Sequence, residues 1–273
     1  MTVHVYAFTS TDLRLIDLTG PTLDAVSLQL PDGIYTGLRT YDRNRISGLS
    51  AHLQRLVDSH ALIGRPLRLD PSLLRSALRQ VISRENLAVA RLRITLPFDR
   101  AEAYISIEPF QLHPEEFYRC GVRCATTHLR RESPGAKRTN FIAPSRALKA
   151  ETDPGIHEML LVDDRGRILE GLTSNFFAVL AGQLYAADDD VLQGVTRGAV
   201  LADAADLGEV VYDSITLDDL PQVTEAFITS SGREVMPVIQ IDQQLIGTGQ
   251  PGEVTKELMA RYHRRCLELA ERP

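Results

Sequence analysis

Strand-like segments outnumber helix-like ones along this chain, and the two kinds do not alternate one for one. A doubly wound parallel sheet needs a helix after nearly every strand, so the order favours an α+β fold with mixed or antiparallel sheets. In the first part, Val3–Phe8, Gly33–Tyr41, Leu92–Leu96 and Ala103–Glu108 alternate or cluster β-branched and aromatic residues as strands do. Between them, Ser50–Ile63 sets Leu53, Leu56, Val57 and His60 on one helical face, and Asp70-Pro71 offers a cap and a first-turn proline for a helix over Pro71–Ile82. The polar run Leu112-His113-Pro114-Glu115-Glu116 then reads as a connection. The expected units are a small α/β N-terminal lobe over 1–111, a connection over 112–118 and a larger lobe over 119–273.

The larger lobe reopens with a strand at Gly121–His128 and passes through an irregular stretch, Arg130–Asn140. Strands follow at Glu158–Val162, Ile168–Leu169, Asn175–Leu180 and Leu184–Ala186, then a helix over Gly194–Asp206. Ala226–Thr229 and Val235–Ile241 read as strands, and Glu253–Glu271 as a closing amphipathic helix. This pattern predicts a mixed, barrel-like sheet.

Composition narrows the function classes. With 273 residues and 44% apolar positions, the chain can bury one large core or two modest ones. Its start has no basic segment leading into an apolar run, and no stretch approaches the roughly 18 apolar residues of a membrane span, so a cytoplasmic protein is expected. A net charge of −6 with dispersed arginines argues against nucleic-acid or polybasic membrane partners and points to a small molecule. Cys120, Cys124 and Cys266, even with His128 nearby, lack the spacing of a metal site and read as reduced and structural. Of 30 basic residues only Lys137, Lys149 and Lys256 are lysines, so chemistry that needs a primary amine has few places to happen.

Short patches carry the chemistry. They are His52-Leu53-Gln54-Arg55-Leu56, Ala136-Lys137-Arg138-Thr139-Asn140, Leu169-Glu170-Gly171-Leu172-Thr173-Ser174-Asn175-Phe176-Phe177, and the pair Gly194-Val195-Thr196-Arg197 and Thr229-Ser230-Ser231-Gly232-Arg233-Glu234. In this order and spacing they resemble the fold-type IV (class IV) enzymes that use pyridoxal 5′-phosphate (PLP). That group holds branched-chain and D-amino acid aminotransferases, (R)-amine transaminases and aminodeoxychorismate lyase. The resemblance runs from about Gly33 to the end of the chain. It implies the two-lobe class IV aminotransferase fold, PLP in a cleft between lobes, and a homodimer.

The resemblance also implies roles. Lys137 matches the family's cofactor-bearing lysine, whose amine must be partly desolvated to attack an aldehyde. Lys149 and Lys256 keep a surface reading. Glu170 matches the carboxylate that keeps the pyridine nitrogen of PLP protonated, so that the ring draws electrons from the substrate. The phosphate would sit at the helix start Gly194-Val195-Thr196, on the amides and the Thr196 hydroxyl, with Arg55 and Ser231 as further contacts. Arg197 is expected to pack outward. Tyr35 lines the family's substrate pocket, Arg93 matches a pocket arginine, and Arg100, Arg138 and the amides near Gly232 are the remaining candidates for a substrate carboxylate. The Thr173-Ser174-Asn175 ending resembles D-amino acid aminotransferases, whereas branched-chain enzymes carry a second acid there. The arginine-x-histidine carboxylate trap of the D-specific enzymes is missing, because the loop after Thr95 is short. The reading leans to a D-amino acid transaminase that also takes (R)-amines and passes the amino group to a 2-oxo acid by ping-pong exchange. The alternatives are an L-branched-chain aminotransferase and a lyase of the aminodeoxychorismate type.

Overall fold

Alternation of side chains builds the first sheet of the computed structural model, which describes residues 2–273. β1 (His4–Phe8) and β2 (Leu13–Ile16) form a hairpin, followed by the short helix α1 (Leu23–Ser27) and a second hairpin, β3 (Gly33–Tyr41) and β4 (Arg45–Ile46). Two helices, α2 (Leu49–Leu62) and α3 (Leu74–Glu85), precede the hairpin of β5 (Ala90–Pro97) and β6 (Ala103–Pro109). The six strands lie in the order β2-β1-β6-β5-β3-β4, all antiparallel.

The period-2 pattern gives this sheet two unlike faces. On one, Ile34, Leu38, Leu92, Ile94 and Ile105 pack into a core with Leu49, Leu53 and Leu56 of α2 and Leu74, Leu78 and Val81 of α3. The helical spacing read from Leu53, Leu56 and His60 is thus a buried stripe, with Val57 at its margin. Asp70 accepts a hydrogen bond from the Ser72 amide at the start of a single 3₁₀ turn, Pro71–Leu73, that leads into α3. On the other face Val3, Val5 and Ala7 pack beneath Leu23 and Val26 of α1. Cross-strand register carries Tyr35, Gly37, Arg93, Thr95 and Ser106 on that same second face.

The second part begins with a helix that the sequence does not announce, α4 (Glu115–Cys120), which follows Pro114 and places Glu115 and Glu116 in its favourable first turn. The elements after it are β7 (Val122–Thr127), α5 (Ile142–Glu151), β8 (Ile156–Val162), β9 (Ile168–Gly171), β10 (Asn175–Leu180) and β11 (Gln183–Tyr185). α6 (Val195–Ala204), β12 (Val210–Val211), β13 (Val223–Ser230), β14 (Glu234–Ile241), β15 (Gln244–Leu245) and α7 (Glu253–Glu268) complete the chain. Strands run β12-β11-β10-β13-β14-β7-β8-β9, and β9 also pairs with β10, so six of them close into a barrel. β7 is parallel to both β14 and β8, and the other barrel pairings are antiparallel. The barrel is therefore mixed, as the pattern of segments predicts. Cys124, Leu160, Phe176, Ile228 and Met236 contribute to its core.

The chain divides into two compact units. The first runs to Gln111 and also takes Gly135–Ala147 and Arg265–Pro273; the second holds Leu112–Pro134 and Leu148–Arg264. A second lobe read as continuous over 119–273 would include Lys137. The backbone instead ties that segment to the first unit, because the Tyr35 amide donates to the Lys137 carbonyl at 2.9 Å and Ile34 bridges Arg138. The C-terminal residues join it through paired amide bonds between Ile46 and Glu271, at 2.7 and 2.9 Å. Among the described residues, no helix is long and apolar enough to cross a membrane.

Candidate functional site

In the first unit, α2 and β3 bring His52, Arg55 and Ser59 against Thr36 and the Lys137 segment. His52, Arg55 and Ser59 fall at i, i+3 and i+7, one helical face. The Ser59 hydroxyl accepts from the Lys137 amide at 3.3 Å. Arg55 is half-buried with its Nε shielded from solvent and unpartnered, and among the described residues no carboxylate pairs with it. Its NH2 donates to Thr36 Oγ1 at 2.6 Å. Burial lowers the Arg55 pKa to about 10, against an opposing contribution from Tyr35. A shielded, un-neutralised guanidinium suits an anion such as the phosphate of PLP.

Lys137 is half-buried, with Nζ 4.9 Å from the centre of the Tyr35 ring. Lys149 is exposed and Lys256 pairs with Glu253 at the surface, in keeping with their surface reading. The partial shielding of Lys137 suits an amine that must work as a nucleophile.

Each of the three candidate arginines for a substrate carboxylate already meets an aspartate. Arg93, 5% exposed, contacts Asp24 at 2.7 Å, Ser27 Oγ at 2.7 Å and the Leu23 carbonyl at 3.3 Å, and lies 4.7 Å over the Tyr35 ring. Arg100 is exposed and bound twice by Asp99. Arg138 lies 3.4 Å from Asp32, which also binds Thr139. Arg93 differs from the other two in its surroundings. Its Nε, Thr95 Oγ1 and Ser106 Oγ are all buried without partners on the sheet face it shares with Tyr35. Buried polar atoms are rarely left unmatched, so this face is the most ligand-ready of the three places.

In the second unit Glu170 is 2% exposed. Its Oε2 accepts from Asn175 Nδ2 at 3.2 Å and from the Leu192 amide at 3.1 Å, and Arg131 Nε lies 3.1 Å from Oε1. Asn175 stands directly across from Glu170 in the barrel register and also donates to the Leu192 carbonyl at 2.7 Å. A Cβ at Gly194 would overlap Asn175 Oδ1, so any side chain here would have to displace Asn175. It caps α6, whose second residue Thr196 is buried with its hydroxyl 3.2 Å from the Tyr262 hydroxyl, while Val195 is half-buried. Arg197 does not pack outward. It is 5% exposed because the Ala187 carbonyl, Asp188 and Gln193 take up its guanidinium.

The half-buried Ser231 and Gly232 sit in a turn that is fastened on three sides. The Arg233 amide donates to Ser230 Oγ at 3.2 Å, and the Tyr118 hydroxyl donates to the Arg233 carbonyl at 3.1 Å. The Arg233 guanidinium reaches Glu158 Oε2 and Thr173 Oγ1, both at 2.9 Å. Glu158, 2% exposed, also accepts from the Thr173 and Ser174 hydroxyls at 2.6 and 3.1 Å, so one carboxylate ties the turn after Glu170 to the turn carrying Ser231. Asn175 stands inside the motif that marks Glu170. Arg131 and Glu158 carry no local signal, and Arg233 stands inside the Thr229–Glu234 patch without a role assigned to it, because nothing in an arginine or glutamate by itself says that it will meet its partner across a barrel.

Among the described residues, no group of three or more His, Cys, Asp or Glu could hold a metal ion. Cys120, Cys124 and Cys266 form no disulfide there, and burial raises the Cys124 thiol far above its ordinary pKa.

Residues 33–241 match the model of the family described as amino-transferase class IV. A putative branched-chain-amino-acid aminotransferase of Methanocaldococcus jannaschii is 31% identical over 254 residues, covering 85% of this chain and 86% of that protein. A D-alanine aminotransferase of Bacillus licheniformis is 28% identical over 255 residues, covering 88% and 89%. Among solved structures, a T.th. branched-chain amino acid aminotransferase with pyridoxamine 5′-phosphate superposes with a TM-score of 0.82 at 25% identity, covering 98% of this chain and 95% of that one. With the family's fold and its motifs along most of its length, the chain belongs to the class IV aminotransferases, a family of PLP-dependent enzymes.

Proposed function

We propose that the chain transfers the amino group of a branched-chain L-amino acid to a 2-oxo acid, with PLP held covalently through Lys137. The cofactor reading is carried by Arg55, a shielded guanidinium with no carboxylate partner among the described residues, in the same compact unit as the half-buried Lys137. The substrate class is supported by the Methanocaldococcus jannaschii and T.th. branched-chain aminotransferases, whose likeness spans nearly the whole chain. This departs from the D-amino acid lean of the motifs. A D-amino acid reading keeps two supports, the Thr173-Ser174-Asn175 ending and the Bacillus licheniformis relative.

Bound PLP supplies an electron sink for the substrate's Cα–H bond. Glu170 serves the pyridine nitrogen, and Arg55, the Val195 and Thr196 amides, the Thr196 hydroxyl and Ser231 serve the phosphate. Lys137 would hold the cofactor through its amine and would move the proton at the substrate's Cα. Tyr35 and Arg93 orient the substrate, with the Gly232 amide, Arg138 and Arg100 as the other candidates for its carboxylate. The working form is a cytoplasmic homodimer by family likeness.

Two measurements test the reading. Borohydride reduction followed by peptide mass spectrometry should place a phosphopyridoxyl group on Lys137, and its appearance on Lys149 or Lys256 would refute the assignment. Half-reactions with L-leucine, L-glutamate, D-alanine, D-glutamate and (R)-1-phenylethylamine should show rapid loss of the PLP absorption with L-leucine. Reaction with the D-amino acids and none with L-leucine would return the protein to the D-specific reading.

A further inference from the structure

The hydrogen bonds around Arg55 determine the protonation of a buried histidine. Arg55 NH2 lies 2.6 Å from Thr36 Oγ1 and 3.3 Å from His52 Nδ1, and Thr36 Oγ1 lies 2.8 Å from the same Nδ1. A guanidinium can only donate, so Nδ1 faces it as an acceptor and carries no proton. The single Thr36 proton then goes to Nδ1, while the hydroxyl oxygen accepts from Arg55. Burial favours the same state. His52 is 1% exposed, and desolvation, followed by the charges of Arg55 and Lys137, keeps its pKa well below the ordinary value.

Neither group that orients Arg55 is charged. A carboxylate at either position would neutralise the guanidinium and bind it more strongly than an anion arriving from outside. A hydroxyl and a neutral imidazole fix one NH2 group and leave the positive charge, together with a shielded and unpartnered Nε, for another acceptor. We propose that Thr36 and neutral His52 are positioning residues that orient Arg55 for the phosphate group of the cofactor without neutralising it. The inference rests on the reading of Arg55 as a phosphate anchor.

The test is equilibrium dialysis of the full chain against PLP and, in parallel, against pyridoxal, which lacks the phosphate. Thr36→Val keeps the shape and removes the hydroxyl, leaving Arg55 and His52 without their shared partner. It should raise the dissociation constant of PLP about tenfold to a hundredfold, the scale of a lost hydrogen bond to a charged group. Its affinity for pyridoxal should stay at the wild-type value. Thr36→Ser loses the methyl group and keeps the hydroxyl, so it should bind PLP within about threefold of wild type. If Thr36 matters only for packing, serine will be the weaker of the two, and that order would overturn the proposal. Equal loss of PLP and pyridoxal affinity in Thr36→Val would overturn it as well. Thr36→Ala takes the same place in the comparison should the valine variant not fold. Arg55→Ala separates this inference from the reading beneath it. If that variant binds PLP normally, the phosphate anchor itself is wrong; if it binds PLP weakly while Thr36→Val does not, only the positioning role is lost.

Discussion

A carboxylate buried to 2% exposure is tolerated only when its oxygens are met, and Glu170 is met by Asn175, the Leu192 amide and Arg131. These partners hold the side chain in one orientation, as the role proposed for it toward a ring nitrogen requires. Replacing Glu170 with Gln keeps the shape and removes the charge. The variant should retain PLP on Lys137 while proton transfer from Cα slows by about a hundredfold or more, since roughly 1.4 kcal/mol of barrier is worth tenfold. Single-turnover absorbance with L-leucine reads this directly, and near-normal rates would remove Glu170 from the mechanism. At this scale the sequence marks Glu170, Lys137 and Arg55 as candidates, because each stands in a short patch that resembles a family motif. Arg93 was legible only as a position. Its grip on Asp24, Ser27 and Leu23 depends on a helix that no local pattern marks.

That helix, α1, shows why some elements escape sequence reading. Five residues cannot sustain a helix on their own, and α1 is held by the Thr22 cap, by Leu23 and Val26 in the core and by Arg93. Longer elements, such as α2 with its buried stripe, declare themselves through periodicity. The start of α6 lies between these cases. Gly194 has room for no side chain, because Asn175 occupies the space that a Cβ would take. Gly194→Ala should therefore cost about 1–3 kcal/mol in urea unfolding, the usual scale of overpacking. It should also loosen Glu170 by displacing Asn175. An unchanged midpoint would show that the close approach can relax without cost.

Across the whole molecule, charge links stability to pH through Glu158. Desolvation pushes its pKa up, but Arg233, Thr173 and further charged and amide partners more than offset this, and the folded value lies below the ordinary 4.5. A group whose folded pKa is depressed contributes stability above its unfolded pKa and loses it as pH falls through the folded value. Wild-type stability should therefore fall below about pH 4.5 more steeply than that of Glu158→Gln. At neutral pH the variant should be the less stable by about 3–5 kcal/mol, because Arg233 is left buried without its charge partner. Urea midpoints from pH 3 to pH 7 would check both, and parallel curves would show that Glu158 does not carry the linkage. The sequence by itself determined the α+β class, a mixed barrel-like sheet and the longer elements, and its resemblance to a known family pointed to the motif residues. The class and the elements depend on composition and periodicity, and the resemblance on the order of short patches along the chain. Only the tertiary structure decided that Lys137 belongs to the first compact unit, that Glu158 joins two turns through Arg233, and that Thr36 and His52 orient Arg55. Those outcomes depend on strand register, barrel closure and packing between residues far apart in the chain, and no local pattern encodes them.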